Sequence, residues 1–145
     1  MNTKIKQAVL GGIVGTVVMT MIIFVAPMMG MPKMNPPAML SGMLGMPIFI
    51  GWIMHFMIGI IFALSYVLFF SFLLGKCEKK ILKGAFFGIT VFIFAQVAML
   101  MMRMLPGSMS APEGSLFLQI IGSLMGHIIY GIVVISFIKD NSLVK

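Results

Sequence analysis

The sequence predicts an all-α polytopic membrane protein, a four-helix bundle built from two similar helical hairpins. Three observations carry that expectation. The 145 residues are 61% hydrophobic and only 9% charged, against about 25% charged in a soluble domain of this size. Four apolar runs, residues 8–27, 47–74, 81–104 and 115–138, each reach the roughly 20 residues that cross a hydrocarbon core about 30 Å thick. The spacing of Lys, Ala, Gly and His in the first half recurs in the second. The spans use up the chain, so residues 1–145 are read as one membrane domain.

The first run has a basic start and an apolar stretch, as a secretory signal does. No small-x-small cleavage pattern follows, and the run continues through Phe24 and Val25 to Pro27. It reads as a retained first helix. In the loop after it, Asn35-Pro36-Pro37 places a capping Asn before prolines suited to a first helical turn. A short helix over residues 38–44 is expected, with Met39 and Met43 one turn apart on the same face. Gly45 and Pro47 end it. It should lie at the interface or tuck into the mouth of the bundle. Before the fourth span, Ser110-Ala111-Pro112-Glu113 matches a capping box, which makes Glu113 a cap rather than a chemical group.

Lys4, Lys6, Lys76, Lys79, Lys80, Lys83, Lys139 and Lys145 fall at the two termini and the middle loop; only Lys33 and Arg103 fall opposite. By the positive-inside rule both termini are cytoplasmic, and the loops 28–46 and 105–114 face outward. The net charge of +7 therefore reports topology. The basic residues flank apolar runs without interleaved recognition residues, so nucleic acid is not an expected partner. Cys77 is the single cysteine, which excludes a disulfide framework and a CxxC metal site. It reads as an ordinary loop thiol.

Lys6-x-Ala8-x-x-Gly11 matches Lys83-x-Ala85-x-x-Gly88, and His55-x-x-x-Gly59 matches His127-x-x-x-Gly131. Each half is a hairpin that starts and ends on one side. A pseudo-two-fold axis along the membrane normal relates the halves. The segments Pro27-Met-Met-Gly-Met-Pro-Lys-Met34, Gly51-Trp-Ile-Met-His-Phe-Met-Ile-Gly59 and Gly126-His-Ile-Ile-Tyr-Gly131 resemble a family of small bacterial four-helix integral membrane proteins catalogued as a domain of unknown function. The resemblance implies a four-span fold in a bacterial cytoplasmic membrane and supplies no activity or ligand residues.

The spans contain no Asp or Glu, which weighs against a carboxylate proton relay and against oxygen-ligated hard cations. Nothing resembles a hydrolytic triad, a phosphate loop or a dinucleotide fingerprint, so an enzyme is not expected. The ionisable groups within the bundle are His55 and His127. By helical rise they lie about 12 Å below Pro47 and about 18 Å below Ser115. The bland role of an intramembrane His is a hydrogen bond across helices to Ser123, Gln96, Tyr130 or a backbone carbonyl; for a repeat-related pair a functional role stands on an equal footing with it. With Lys6 aligned to Lys83, Met19 takes the place of Gln96, so His55, His127, Met19 and Gln96 form an expected central set. Two imidazoles with a thioether suit copper, and two facing imidazoles with an open slot suit a b-type haem. Gln96 would orient an imidazole from behind.

The methionines add a second signal. Apart from the initiator, all of the 18 fall at residues 19–57 or 99–125, the half predicted to be outer. A thioether is a soft metal ligand as well as an adaptable apolar group. As an acquisition site for Cu(I), Met31, Met34, Met39 and Met43 are the leading residues, with Met28 and Met46 beside them. The same face alternatively docks a membrane-protein partner or a second copy, which would make the chain an accessory subunit of a larger complex. A third reading is a sink for oxidants through reversible sulfoxide formation. The expected function is thus non-enzymatic binding of a soft or redox metal, copper first and haem b second, in a lipid bilayer. Gly11-x-x-x-Gly15, Gly84-x-x-x-Gly88 and Gly122-x-x-x-Gly126 are expected to be close-packing motifs, and Trp52 an interfacial anchor.

Overall fold

A computed structural model describes residues 2–74, 79–104 and 114–139. Every regular element among them is helical. Helix α1 spans Asn2–Val25 and runs into a 3₁₀ turn over Ala26–Met29. The short α2 is Pro36–Met43. Helix α3, Ile48–Ser65, passes through a π-helical turn at Tyr66–Phe70 into α4, Ser71–Leu73. Helix α5 is Lys80–Arg103 and α6 is Leu116–Phe137. Four stretches are long and apolar enough to cross a membrane: Thr3–Met29, Ile48–Leu73, Lys80–Met101 and Leu116–Phe137.

The expected spans match these to within a few residues, except at the N-terminus. There the polar segment 2–7 extends α1, because Lys and Gln are good helix formers with nothing to interrupt them. The expected capping box at 110–113 and Cys77 lie outside the described residues. Helix α6 begins only at Leu116, after Gly114 with its left-handed φ of +88°, and Ser115 makes no side-chain cap bond.

Helix α2 forms as its sequence predicts, with the Asn35 side chain accepting from the Ala38 N–H at 3.1 Å. It tucks onto α3. A Cβ at Gly51 would overlap the Pro37 carbonyl and touch Ser41, so this docking requires glycine. Trp52, expected to be an interfacial anchor, stacks on Phe56 and meets Phe24 edge-on at 6.1 Å.

The spans form a row rather than a closed ring: α3 against α1, α1 against α6, α6 against α5. Glycines set the close crossings. On α1, Gly12 faces Ile60 and Ala63 of α3, while Gly11 and Gly15 face Val134 and Tyr130 of α6. On α5, Gly84 and Gly88 meet the α6 backbone at Gly131, Ile132 and His127. Two of the expected packing motifs therefore serve helix crossings. The third differs: Gly122 receives the Cε methyl groups of Met31 and Met34, and Gly126 faces Met19 and Ile23 of α1.

A true two-fold repeat would pack α3 against α5 as α1 packs against α6. That interface is open. Where α1 presents glycines to α6, α5 presents Phe87 and Phe94 toward α3. Phe87 meets Tyr66 at 5.1 Å and Phe70 at 5.5 Å, and Phe94 meets Phe62 at 6.4 Å. The π turn, closed by the Ser71 N–H donating to the Tyr66 carbonyl, lets Tyr66 and Phe70 both reach Phe87. These rings hold α3 and α5 together at the end of the bundle that carries the chain termini. Toward the α2 end the two helices part.

Candidate functional site: a methionine-lined cavity with two histidines

The parted helices leave a cavity of about 860 Å³ between α3 and α5, backed by α1 and α6 and overhung by α2. His55, His127, Met19 and Gln96 all line it. The central set expected from the repeat is therefore gathered at one place. So are Met34, Met39 and Met43, together with Met99. Met31 is not part of the wall; its Cε lies beside that of Met34 at Gly122. The remaining methionines divide from these. Met28 and Met29 are 86% and 82% exposed, and Met21, Met46, Met57, Met101, Met104 and Met125 also face outward. The one-sided distribution of Met thus serves two surfaces, and Met28 and Met46 belong to the outer one.

Each imidazole has one nitrogen fixed. The Nδ1 of His127 lies 2.7 Å from the Ser123 carbonyl oxygen. A carbonyl only accepts, so Nδ1 carries the proton and Nε2 keeps a lone pair. The Ser123 hydroxyl, 3.4 Å from the same nitrogen, also accepts from the Gln96 amide at 3.4 Å. Gln96 therefore reaches His127 through Ser123.

His55 Nε2 lies 3.0 Å from the Thr20 hydroxyl. That hydroxyl donates its own proton to the Thr16 carbonyl at 2.7 Å. It must then accept from His55, which puts the proton on Nε2 and leaves the lone pair on Nδ1. Among the described residues no buried side-chain nitrogen or oxygen lacks a partner. His55 Nδ1 and His127 Nε2 bond no described residue, so both open onto accessible space rather than being sealed in the packing.

Thr16 and Thr20 were not singled out from sequence as parts of this site; Tyr130 was expected only as one candidate hydrogen-bond partner of a histidine, and it bonds Gly59 instead. Thr16 and Thr20 are 2% and 5% exposed and stand one turn apart on α1. Their i, i+4 spacing on a glycine-rich helix is the signal that marks them. Tyr130, 2% exposed, donates its hydroxyl to the Gly59 carbonyl.

Among the described residues no group of three or more His, Cys, Asp or Glu side chains is placed to hold a metal ion. The donors facing the cavity are two imidazoles, thioethers, amides and hydroxyls. Among the described residues that set lacks the carboxylates a hard cation prefers. It offers two imidazole lone pairs to a soft Lewis acid or to a hydrogen-bond donor.

The chain belongs to a family of unknown function, DUF6789, whose model matches residues 2–140. No curated protein and no solved structure matches it.

Proposed function

We propose that this multi-pass membrane protein is a non-enzymatic binder of copper, with Cu(I) held by His55 Nδ1 and His127 Nε2 and the Met19 thioether as third ligand. One observation carries the reading. Both imidazoles line a single cavity, each with one nitrogen pinned by a hydrogen bond and the other left with an open lone pair. Metal-ligating histidines are held in this way. Met34, Met39, Met43 and Met99 line the approach from the α2 end, and Met31 supports Met34 at Gly122.

Copper stands ahead of haem for a steric reason. The open nitrogen of His55 is Nδ1, next to its own Cβ, where a macrocycle meets the helix. A single ion accepts either ring nitrogen. The accessory-subunit reading rests on a different surface, the exposed Met28, Met29 and Met46, which suit an adaptable contact with another membrane protein.

Metal analysis and an optical spectrum of the reduced, purified protein test the proposal. Copper should be bound, and His55→Ala with His127→Ala should lose it. Replacing Met31, Met34, Met39 and Met43 by Leu keeps nearly the same volume and should weaken uptake while preserving the fold. A Soret band lost in the double His variant would replace copper by haem. Unchanged copper and haem content in every variant would sink the metal reading and leave the accessory subunit.

A further inference from the structure

Among the described residues the cavity is open sideways. Ile61 on α3 and Phe94 and Leu100 on α5 belong to its wall, yet they are 56%, 55% and 64% exposed. The gap between α3 and α5 therefore leads from the interior to the surface that hydrocarbon covers in a bilayer. Its inner limit is the Phe62–Phe94 contact. At the α2 end the wall changes character. Lys33 is the only cationic side chain among the described residues that line the cavity, and Asn35 stands beside it. Lys33 makes no hydrogen bond or ion pair with any described residue.

We propose that this cavity binds an anionic single-chain amphiphile that enters from the leaflet through the gap between α3 and α5. Its acidic head lies at Lys33 and Asn35 and its chain lies along the methionine-lined wall toward the histidines. The volume of about 860 Å³ is that of a site for a small organic ligand, in the range of roughly 300–1,000 Å³, and far exceeds what an ion needs. Unbranched thioether side chains adapt to a flexible chain. A head of opposite charge gives Lys33 a partner, and the apolar body replaces contacts that an empty apolar space would forfeit. The proposal is independent of copper, because no step of it uses an imidazole lone pair.

The test uses metal-free full-length protein in neutral detergent, titrated with palmitate and with hexadecanol, with bound ligand counted by native mass spectrometry. Palmitate should bind one per chain. Lys33→Gln, a change at an exposed side chain, should weaken palmitate about tenfold and leave hexadecanol unchanged. Ala95→Phe, which fills the wall of the cavity, should abolish both, with helix content and melting temperature confirming the fold. The protein is metal-free throughout, so a failed copper measurement leaves this result standing. A third arm replaces palmitate by phosphatidylglycerol. Binding of that lipid alone, with the same Lys33 dependence, would assign the acidic head to a two-chain bilayer lipid and overturn the single-chain occupant. Palmitate and phosphatidylglycerol binding that ignores both Lys33→Gln and Ala95→Phe, or no binding of either, would overturn the proposal. So would crosslinking of Ala95→Cys to a second polypeptide that occupies the gap.

Discussion

The Tyr130 hydroxyl donates to the Gly59 carbonyl and so ties α6 to α3 across the face of α1. The carbonyl is reachable because Gly59 sits flush against Thr16, where any Cβ would overlap the threonine Oγ1. This crossing lies one turn or less from both histidines in sequence, and it sets the distance between the helices that carry them. Tyr130→Phe removes the hydroxyl and leaves the Gly59 carbonyl short of a second bond. Thermal unfolding in detergent should show a loss of about 1 kcal/mol. A Tyr130→Phe protein as stable as wild type would mean that the bond contributes nothing to holding α3.

Helix α2 should be detachable without unfolding the spans. Gly51→Val places side-chain atoms where the Pro37 carbonyl lies, and α2 packs chiefly on α3. The expected outcome is a folded four-span protein in which Ser41, 5% exposed in the docked helix, becomes reactive when replaced by Cys. No gain in labelling of that Cys in the Gly51→Val background would show that α2 stays docked despite the overlap.

Thr20→Val keeps the side-chain shape and removes the acceptor that fixes His55. Hydrogen-bonded supports of metal-bound imidazoles are worth about 10–100-fold in metal affinity. Copper affinity measured by competition with a chelator should fall by about that factor in Thr20→Val, with helix content unchanged. Equal affinity in wild type and Thr20→Val would remove His55 from the site as proposed.

Orientation in the membrane can be read from cysteines placed at exposed positions of the α2 end. Met28 and Met46, at 86% and 52% exposure, are suitable; Ser41, within the docked face of α2, is not. The Lys and Arg asymmetry predicts these positions to be outside the cytoplasm. An impermeant maleimide should label Met28→Cys in intact cells, after outer-membrane permeabilisation where one is present. Labelling only after lysis of the cytoplasmic membrane would reverse the orientation.

Much of this architecture was legible in the sequence because local signals were strong. Span length and composition fix four helices. Asn35 and the prolines after it fix α2. The offset that equates Lys6 with Lys83 pairs Met19 with Gln96, and the separate match of His55-x-x-x-Gly59 with His127-x-x-x-Gly131 puts the histidines near the same level. What the repeat misled about was the packing of α3 on α5. The alignment equates Gly11 with Gly88 but Gly15 with Phe92, and on α5 Gly88 is used against the α6 backbone rather than against α3. The identity of helix neighbours depends on such non-local fits between side chains, which periodicity does not encode. The hydrogen-bond partner of His55 was hidden for a related reason. Thr20 lies 35 positions away in the chain, and only the α1–α3 crossing at Gly12 and Gly59 brings the two together. The split of the methionines into cavity and surface sets likewise follows from helix rotation rather than from count.

The aromatic prop between α3 and α5 gives the protein a front and a back within the plane of the membrane. A duplicated hairpin would ordinarily offer the same flank in two opposite directions. Here Gly11 and Gly15 close one flank, while on the other Phe87 and Phe94 bridge α3 and α5 at one end only, so among the described residues the lateral entry proposed above lies on a single side. Any neighbour that settles against the α3–α5 side shuts that opening, whereas one that settles against the α1–α6 side leaves it free. With the lateral entry proposed above, the bundle's placement among its neighbours would control access with no conformational change within the chain.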